Sequence, residues 1–358
     1  MKIRIGNHTL GPGHPTFIVA EMSANHGGTL ERALEIVRSA KRAGADAIKL
    51  QTYTADTITL KCNRDDFRIM GTSPWGNYST LWDLYNEAFT PWDWHAEIFR
   101  EARRLGLEIF SSPFDESSVD LLEELDASAY KIASPEITHI PLLEKVARTG
   151  KPIIISTGIA ELVDIELALA ILRGAGAKEI IVLKCTTAYP APPEEANLRT
   201  ISDIVTRFGV LSGLSDHTLG TVTSVASVVL GASLIEKHFT LDDGKETVDS
   251  FFSLGEKDFA SLVQDVRWTE KVLGQVSYEI TPSALSSLRG RRSVYAAAMI
   301  KTGEQFTKYN IKVVRPSFGL HPKHVKDVLG CCAKRDLQFG DRLTEGDLPN
   351  LADNVGQQ

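Results

Sequence analysis

Eight times between residues 17 and 273, a short apolar run is followed by a stretch with helical spacing. The strand candidates are 17–21, 46–51, 107–111, 129–133, 152–156, 179–184, 209–215 and 233–238. Helical patterns follow at 30 to about 43 and near 93–105, 116–125, 141–148, 162–174, 196–207, 220–230 and 257–273. In the first of these, Ala33, Ile36, Val37 and Ala40 recur on one helical face, Thr29 is the candidate cap, and Gly44 closes the helix. Strands that alternate with helices pair in parallel, because each return crossover has the length of a helix. Eight such units are the number that closes into a (β/α)8 TIM barrel. An open doubly wound sheet is the alternative, disfavoured because no Gly-x-Gly-x-x-Gly turn follows the first strand.

What lies outside this alternation sets the domain plan. Residues 1–15 are polar and Gly/Pro-rich, as expected for a hairpin or cover ahead of the barrel. Residues 52–92 are too long for a simple connection and carry Trp75, Trp82, Tyr85, Trp92 and Trp94. A long loop on the strand-end face of a barrel carries specificity; a packing cover is the other reading, since aromatic side chains are large hydrophobes first. The barrel domain is placed at 1–280 and a linker at 281–290, within a looser stretch that begins at 275. A small domain of short strands and turns is placed at 291–358. A net charge of −7 argues against a nucleic-acid or membrane-surface binder. No apolar run approaches the roughly 18–20 residues of a membrane span. Cys62, Cys185, Cys331 and Cys332 do not form a disulfide framework, so reduced thiols and a cytoplasmic location are expected. The first residues lack the apolar core of a signal peptide.

In a barrel of this kind the active site is built where the strands end. Those ends carry Glu21 with Asn25 and His26, Lys49 with Gln51, Ser112, Lys131 with Ser134 and Glu136, Ser156 with Thr157, Lys184 with Thr186, Thr187 and Tyr189, Ser215 with His217, and Glu236 with His238. Lys49 and Gln51 share strand parity and point the same way, whereas Lys237 and His238 do not. Buried ammonium groups need an anionic partner. Lys49 and Lys131 with Ser112, Ser134, Ser156 and Ser215 make a cradle for a phosphorylated carboxylic acid, unless they pair internally with Glu21, Glu136 or Glu236. His217 and His238 end consecutive strands, an arrangement that suits a divalent metal. Two imidazoles with carboxylate and water favour Mn, Fe, Co or Zn over Mg, and the metal's task would be to polarise a substrate carbonyl. Glu136 is the candidate to move a proton or activate a water.

Several stretches resemble the sialic-acid synthases, which condense phosphoenolpyruvate with an amino sugar. They are Ala20-Glu21…Asn25-His26-Gly27-Gly28, Ala45-Asp46-Ala47-Ile48-Lys49-Leu50-Gln51-Thr52, Phe110-Ser111-Ser112-Pro113-Phe114, Tyr130-Lys131-Ile132-Ala133-Ser134, Ser156-Thr157-Gly158, Lys184-Cys185-Thr186-Thr187, Gly213-Leu214-Ser215-Asp216-His217 and Ile235-Glu236-Lys237-His238. From Arg291-Arg292-Ser293 onward the chain resembles the antifreeze-like (SAF) domain of that family. Glu21-Met22-Ser23-Ala24-Asn25-His26 and Asp249-Ser250-Phe251-Phe252 look like the family's pseudaminate branch, although Pro135 stands where that branch tends to have Phe. The resemblance implies a divalent cofactor (Mn, Mg or Co) on His217 and His238. It places phosphoenolpyruvate on Lys49, Ser112, Lys131, Ser134, Ser156, Thr187 and Ser215. Glu136 would act in the water step and Glu21 on the sugar, with Gln51, Asn25 and Tyr189 also in the substrate site. A domain-swapped homodimer would bring Arg292 to the partner's sugar. The rivals are a neuraminate or legionaminate synthase, a Schiff-base aldolase using Lys131 or Lys184, and a non-enzymatic carbohydrate- or ice-binding protein.

Overall fold

The computed structural model describes residues 1–71 and 73–348. It divides into two units, Met1–Gly274 and Gln275–Gln358; the end of the small domain, from residue 349, lies outside the described residues.

The first unit is a closed barrel of eight parallel strands. A hairpin, β1 (Ile3–Ile5) and β2 (His8–Leu10), precedes it. The staves are β3 (Phe17–Glu21), β4 (Ala47–Thr52), β5 (Glu108–Pro113), β6 (Tyr130–Ile132), β7 (Ile153–Ser156), β8 (Ile180–Cys185), β9 (Leu211–Asp216) and β10 (Leu234–His238). β10 closes on β3 with His238 opposite Glu21. The outer helices run Leu30–Arg42, Trp92–Arg104, Glu116–Glu124, Ile140–Arg148, Leu162–Gly174, Thr200–Phe208, Val222–Val229 and Glu256–Leu273. All eight expected units are therefore present. Thr29 precedes the first helix in extended conformation, but its side chain makes no capping hydrogen bond. The helix expected near 196 starts at Thr200, because Pro193–Glu195 forms a separate 3-10 turn.

Strand parity divides the barrel into layers. Phe17, Val19, Ala47, Phe110, Ala129, Ile154, Ile181, Leu183, Leu211 and Leu234 pack together inside it. Ile3, Ile5 and Leu10 of the hairpin join the same cluster, so the lower end is plugged by the chain's own beginning. Ile18, Ala20, Ile48, Leu50, Ile132 and Ile155 face outward and pack with Ile36, Val37, Ile98 and Leu143 of the helices. Two residues further along most of the inward rows, at Glu21, Lys49, Ser112, Lys131, Ser156 and Glu236, the side chains become polar. The connection after β4 contains helices Ala55–Ile58 and Leu81–Ala88. Thr80 caps the second by accepting from the Asp83 amide at 3.2 Å.

The second unit begins with a 3-10 stretch, Pro282–Gly290, where a plain linker was expected. Its antiparallel pair, β11 (Ser293–Ala296) and β12 (Ile311–Val314), packs on Ile300, Phe306, Leu320, Val328 and Leu337.

Candidate active site

The polar layer opens into a small cavity of about 60 Å³. Its walls include Lys49, Gln51, Ser112, Lys131, Ser134, Ser156, Tyr189, Ser215, His217 and His238. Ten of the expected site residues thus converge on one space. Glu236 and Cys185 line it too, and neither was assigned a role there beyond Glu236 as a possible ion-pair partner. Parity could have found Cys185, which follows the inward row Ile181 and Leu183. The same parity turns Lys184 away from the cavity, and its Nζ donates to the Cys185 carbonyl at 2.6 Å.

Four ionisable groups form the floor. Lys49 Nζ lies 2.5 Å from Glu21 Oε2 and 3.7 Å from Glu236 Oε1. Lys131 Nζ lies 3.1 Å from the same Glu236 oxygen. Lys49 also donates to Ser112 Oγ at 3.2 Å, and Gln51 Nε2 donates to Glu21 Oε1 at 3.2 Å. The lysines are therefore internally paired, as the alternative reading has it, and they also face the cavity. Burial raises the Glu21 carboxyl against the pull of Lys49, with Glu236 adding to the rise. Burial would also raise Glu236, but Lys131 and Lys49 hold it below its ordinary value. Burial also lowers the Lys131 ammonium, against the pull of Glu236, so one acid and one base of the cluster both lean toward their neutral forms.

Unpaired polar atoms mark the same place. Among the described residues, Ser156 Oγ, Glu136 Oε2, Glu236 Oε2 and His238 Nδ1 are buried without a hydrogen-bond partner. Buried polar atoms without partners are rare unless a ligand or water completes them. Glu136 sits in a 3-10 turn, Ser134–Thr138, just beyond β6. Burial pushes its carboxyl up to about 8, against its own backbone hydrogen bond and Lys131.

The two imidazoles approach each other, with ring centroids 5.4 Å apart and planes at 65°. The Thr186 carbonyl accepts from His217 Nδ1 at 2.9 Å and fixes a proton there. Burial would lower this imidazole, but the neighbouring Cys185 holds it above its ordinary value, so Nε2 has to give up a proton before it ligates. Burial, then the charges of His217, Lys49 and Lys131, hold His238 well below its ordinary value and keep it neutral. Neutral imidazole is the ligating form. Among the described residues no cluster of three or more His, Cys, Asp or Glu forms a fuller metal-binding set. The two imidazoles alone would leave the remaining positions of a divalent cation to other donors. Behind the histidines, Lys237 Nζ meets Asp216 Oδ2 at 2.8 Å on the outer side of β9 and β10. Ser224 Oγ donates to that carboxylate at 2.6 Å.

Five expected residues are outside the lining of this cavity: Glu21, which pairs with Lys49 and Gln51, Glu136 in the turn beyond β6, and Asn25, Thr187 and Arg292. Asn25 is fully buried with its amide already engaged: Nδ2 donates to the Phe239 carbonyl and to Ser253 Oγ, each at 2.9 Å, and Oδ1 accepts from Thr247 Oγ1 at 2.6 Å. It staples the first loop to the stretch beyond β10 and does not line the cavity. Thr187 lines a second, adjoining cavity. Arg292 belongs to the second unit, where it is exposed and donates to the Val313 carbonyl at 3.0 Å.

The NeuB family model matches residues 36–278, and the SAF domain model matches residues 291–349. The chain is 44% identical over 345 residues to a pseudaminic acid synthase of Campylobacter jejuni subsp. jejuni serotype O:23/36 (strain 81-176), covering 96% of this chain and 99% of the relative. It is 44% identical over 335 residues to a pseudaminic acid synthase of Helicobacter pylori (strain ATCC 700392 / 26695), covering 93% and 98%. The N-acetylneuraminic acid synthetase of Leptospira borgpetersenii serovar Hardjo-bovis, solved with citrate, superposes with a TM-score of 0.71 at 30% identity, covering 80% of this chain and 95% of that one. With its barrel, its small second domain and its polar strand ends accounted for, the chain belongs to the NeuB family.

Proposed function

We propose that the protein is an enzyme that condenses phosphoenolpyruvate with 2,4-diacetamido-2,4,6-trideoxy-L-altrose and water, giving pseudaminic acid and inorganic phosphate. The carrying observation is the convergence of two buried lysines, four serines and two facing imidazoles on one cavity, in a chain 44% identical to pseudaminic acid synthases along nearly its whole length.

Lys49 and Lys131 would bind the phosphate and carboxylate of the enolpyruvate, displacing Glu236 as their partner. Ser112, Ser134, Ser156 and Ser215 would donate to its oxygens. C3 of the enolpyruvate attacks the sugar's aldehyde carbon, whose oxygen takes up a proton. Water adds at C2, and the C2–O bond to phosphate then breaks. Glu136, protonated at neutral pH and without a hydrogen-bond partner at Oε2, is suited to deliver a proton and to take one back from the water. His217 and His238 would hold a divalent cation, Mn, Mg or Co, which when bound supplies Lewis-acid polarisation of the aldehyde. A homodimer in which the small domain reaches the partner's barrel, with Arg292 touching the sugar, belongs to the same proposal, as does a cytoplasmic setting. No helix among the described residues is long and apolar enough to cross a membrane.

A phosphate-release assay on purified protein tests this reading. The deoxy diacetamido sugar and N-acetylmannosamine are compared, each with added Mn and after chelator treatment. Turnover mainly with the former, lost on chelation and restored by Mn, is expected. Equal rates with both sugars would defeat the substrate assignment. Trapping of pyruvate by borohydride on Lys131 would replace the mechanism with an imine one.

A further inference from the structure

The small polar cavity continues into a larger one of about 500 Å³, and Gln51, Pro135, Tyr189 and His238 line both. The two halves of this larger space differ in chemistry. Ser23, Gln51, Asp249 and Thr187 stand among its lining residues. Three of them already engage one another: Gln51 Nε2 donates to Ser23 Oγ at 2.9 Å, and Ser23 Oγ donates to Asp249 Oδ2 at 2.5 Å. The segment after β4 supplies Met70, Trp75, Leu81, Leu84 and Tyr85, with Arg68 and Ser73 at their side, and Phe252 comes from the stretch beyond β10. Trp75 has its one polar atom occupied, because Nε1 donates to the Val248 carbonyl at 3.1 Å. Its ring is fixed edge-on to Tyr189 at 5.3 Å and to Phe251 at 6.2 Å. What Trp75 can offer a ligand is therefore carbon surface alone. Tyr189 in turn stacks at 4.5 Å on His217, which connects this wall to the imidazole pair.

We propose that this apolar wall, centred on Trp75 and Met70, seats the methyl-bearing substituents at the end of the sugar remote from its aldehyde. The chain thereby selects a deoxy, acylamino sugar over one with a hydroxyl at the same place. The inference rests on the proposed condensation and names the part of the site that chooses its second substrate. A ligand anchored by its aldehyde near His238 has its far end directed into the larger space, since the small one has little volume to spare. Arg68 and Ser73 also line the space, but a methyl group set against Trp75, Leu81, Leu84 and Phe252 meets carbon, where a hydroxyl would lose its water. Hydrophobic pockets discriminate by about 10–200-fold per methylene and by about 100-fold against an added hydroxyl.

The test compares kcat/KM for 2,4-diacetamido-2,4,6-trideoxy-L-altrose with that for its 6-hydroxy counterpart, in the wild type, Trp75→Ala and Met70→Gln. Met70 is an exposed position that tolerates substitution, so the second variant keeps the test valid if the first fails to fold. The wild type should prefer the deoxy sugar by about 10–100-fold. Trp75→Ala should raise the sugar KM about tenfold or more, leave the phosphoenolpyruvate KM unchanged, and reduce the preference about tenfold. Met70→Gln should reduce the preference several-fold. If the wild type uses the deoxy sugar but folded variants keep the wild-type ratio, this inference is overturned and the condensation stands. If the wild type releases phosphate with neither sugar, both fall.

Discussion

Glu136 shows how much chemistry one side chain can draw from its surroundings. It follows a strand end by a single turn, pairs with no side chain at Oε2, and is held up to about 8 chiefly by burial. The folded-state value lies above that of an ordinary carboxylate, so the protonated form dominates at pH 7 and is lost as pH rises through about 8. An acid role predicts that kcat/KM declines above about 8. Glu136→Gln should abolish that limb and slow turnover by about 10²–10⁴-fold. A pH–rate profile of both proteins checks this, and an unchanged alkaline limb in the variant would assign the titration to another group. Residue types at strand ends were legible in the sequence because parity is a strict two-residue rule. Asn25 was not, because whether a buried amide faces a ligand or staples two loops depends on partners more than 200 positions away in the chain.

At the level of elements, the two histidines are only as well placed as β9 and β10. Gly213 lies where these strands come closest: a Cβ there would collide with the Leu234 carbonyl, a backbone atom that cannot turn aside. Across the outer face the Asp216–Lys237 pair ties the same two strands where Ser215 stands opposite Glu236. Gly213→Ala should therefore destabilise the fold by about 1–3 kcal/mol through overpacking and weaken Mn binding. Urea midpoints and metal titration calorimetry would report the two effects, and a variant with unaltered Mn affinity would separate strand spacing from the imidazole pair. The eight strand–helix units were readable because each is a local pattern. The 52–92 connection was not, since its shape is set by contacts such as Trp75 to Val248, 173 residues apart in sequence.

Across the barrel as a whole, polarity is graded from an apolar base to a charged rim, and buried histidines give it a sensitivity to acid. His26 and His95 are buried and lie at about 4, lowered first by burial. The His95 ring bridges the Pro91 carbonyl at Nδ1 and Thr52 Oγ1 at Nε2, so Nε2 has to accept. Because the folded values lie below the unfolded one, their contribution is intact above about pH 6.5 and is lost as pH falls toward 4. This amounts to about 3 kcal/mol for each group. Thermal melts should show a falling Tm over that window, and His95→Gln should lose part of the acid sensitivity while melting lower at pH 7.5. A variant with the wild-type slope would contradict the assignment.

The hairpin closes the lower end of the barrel, so a ligand on Lys49 and Lys131 would come and go by way of the larger cavity. On the proposed chemistry, the enolpyruvate would enter before the sugar, and phosphate would depart after the nine-carbon acid; product-inhibition patterns would report that order.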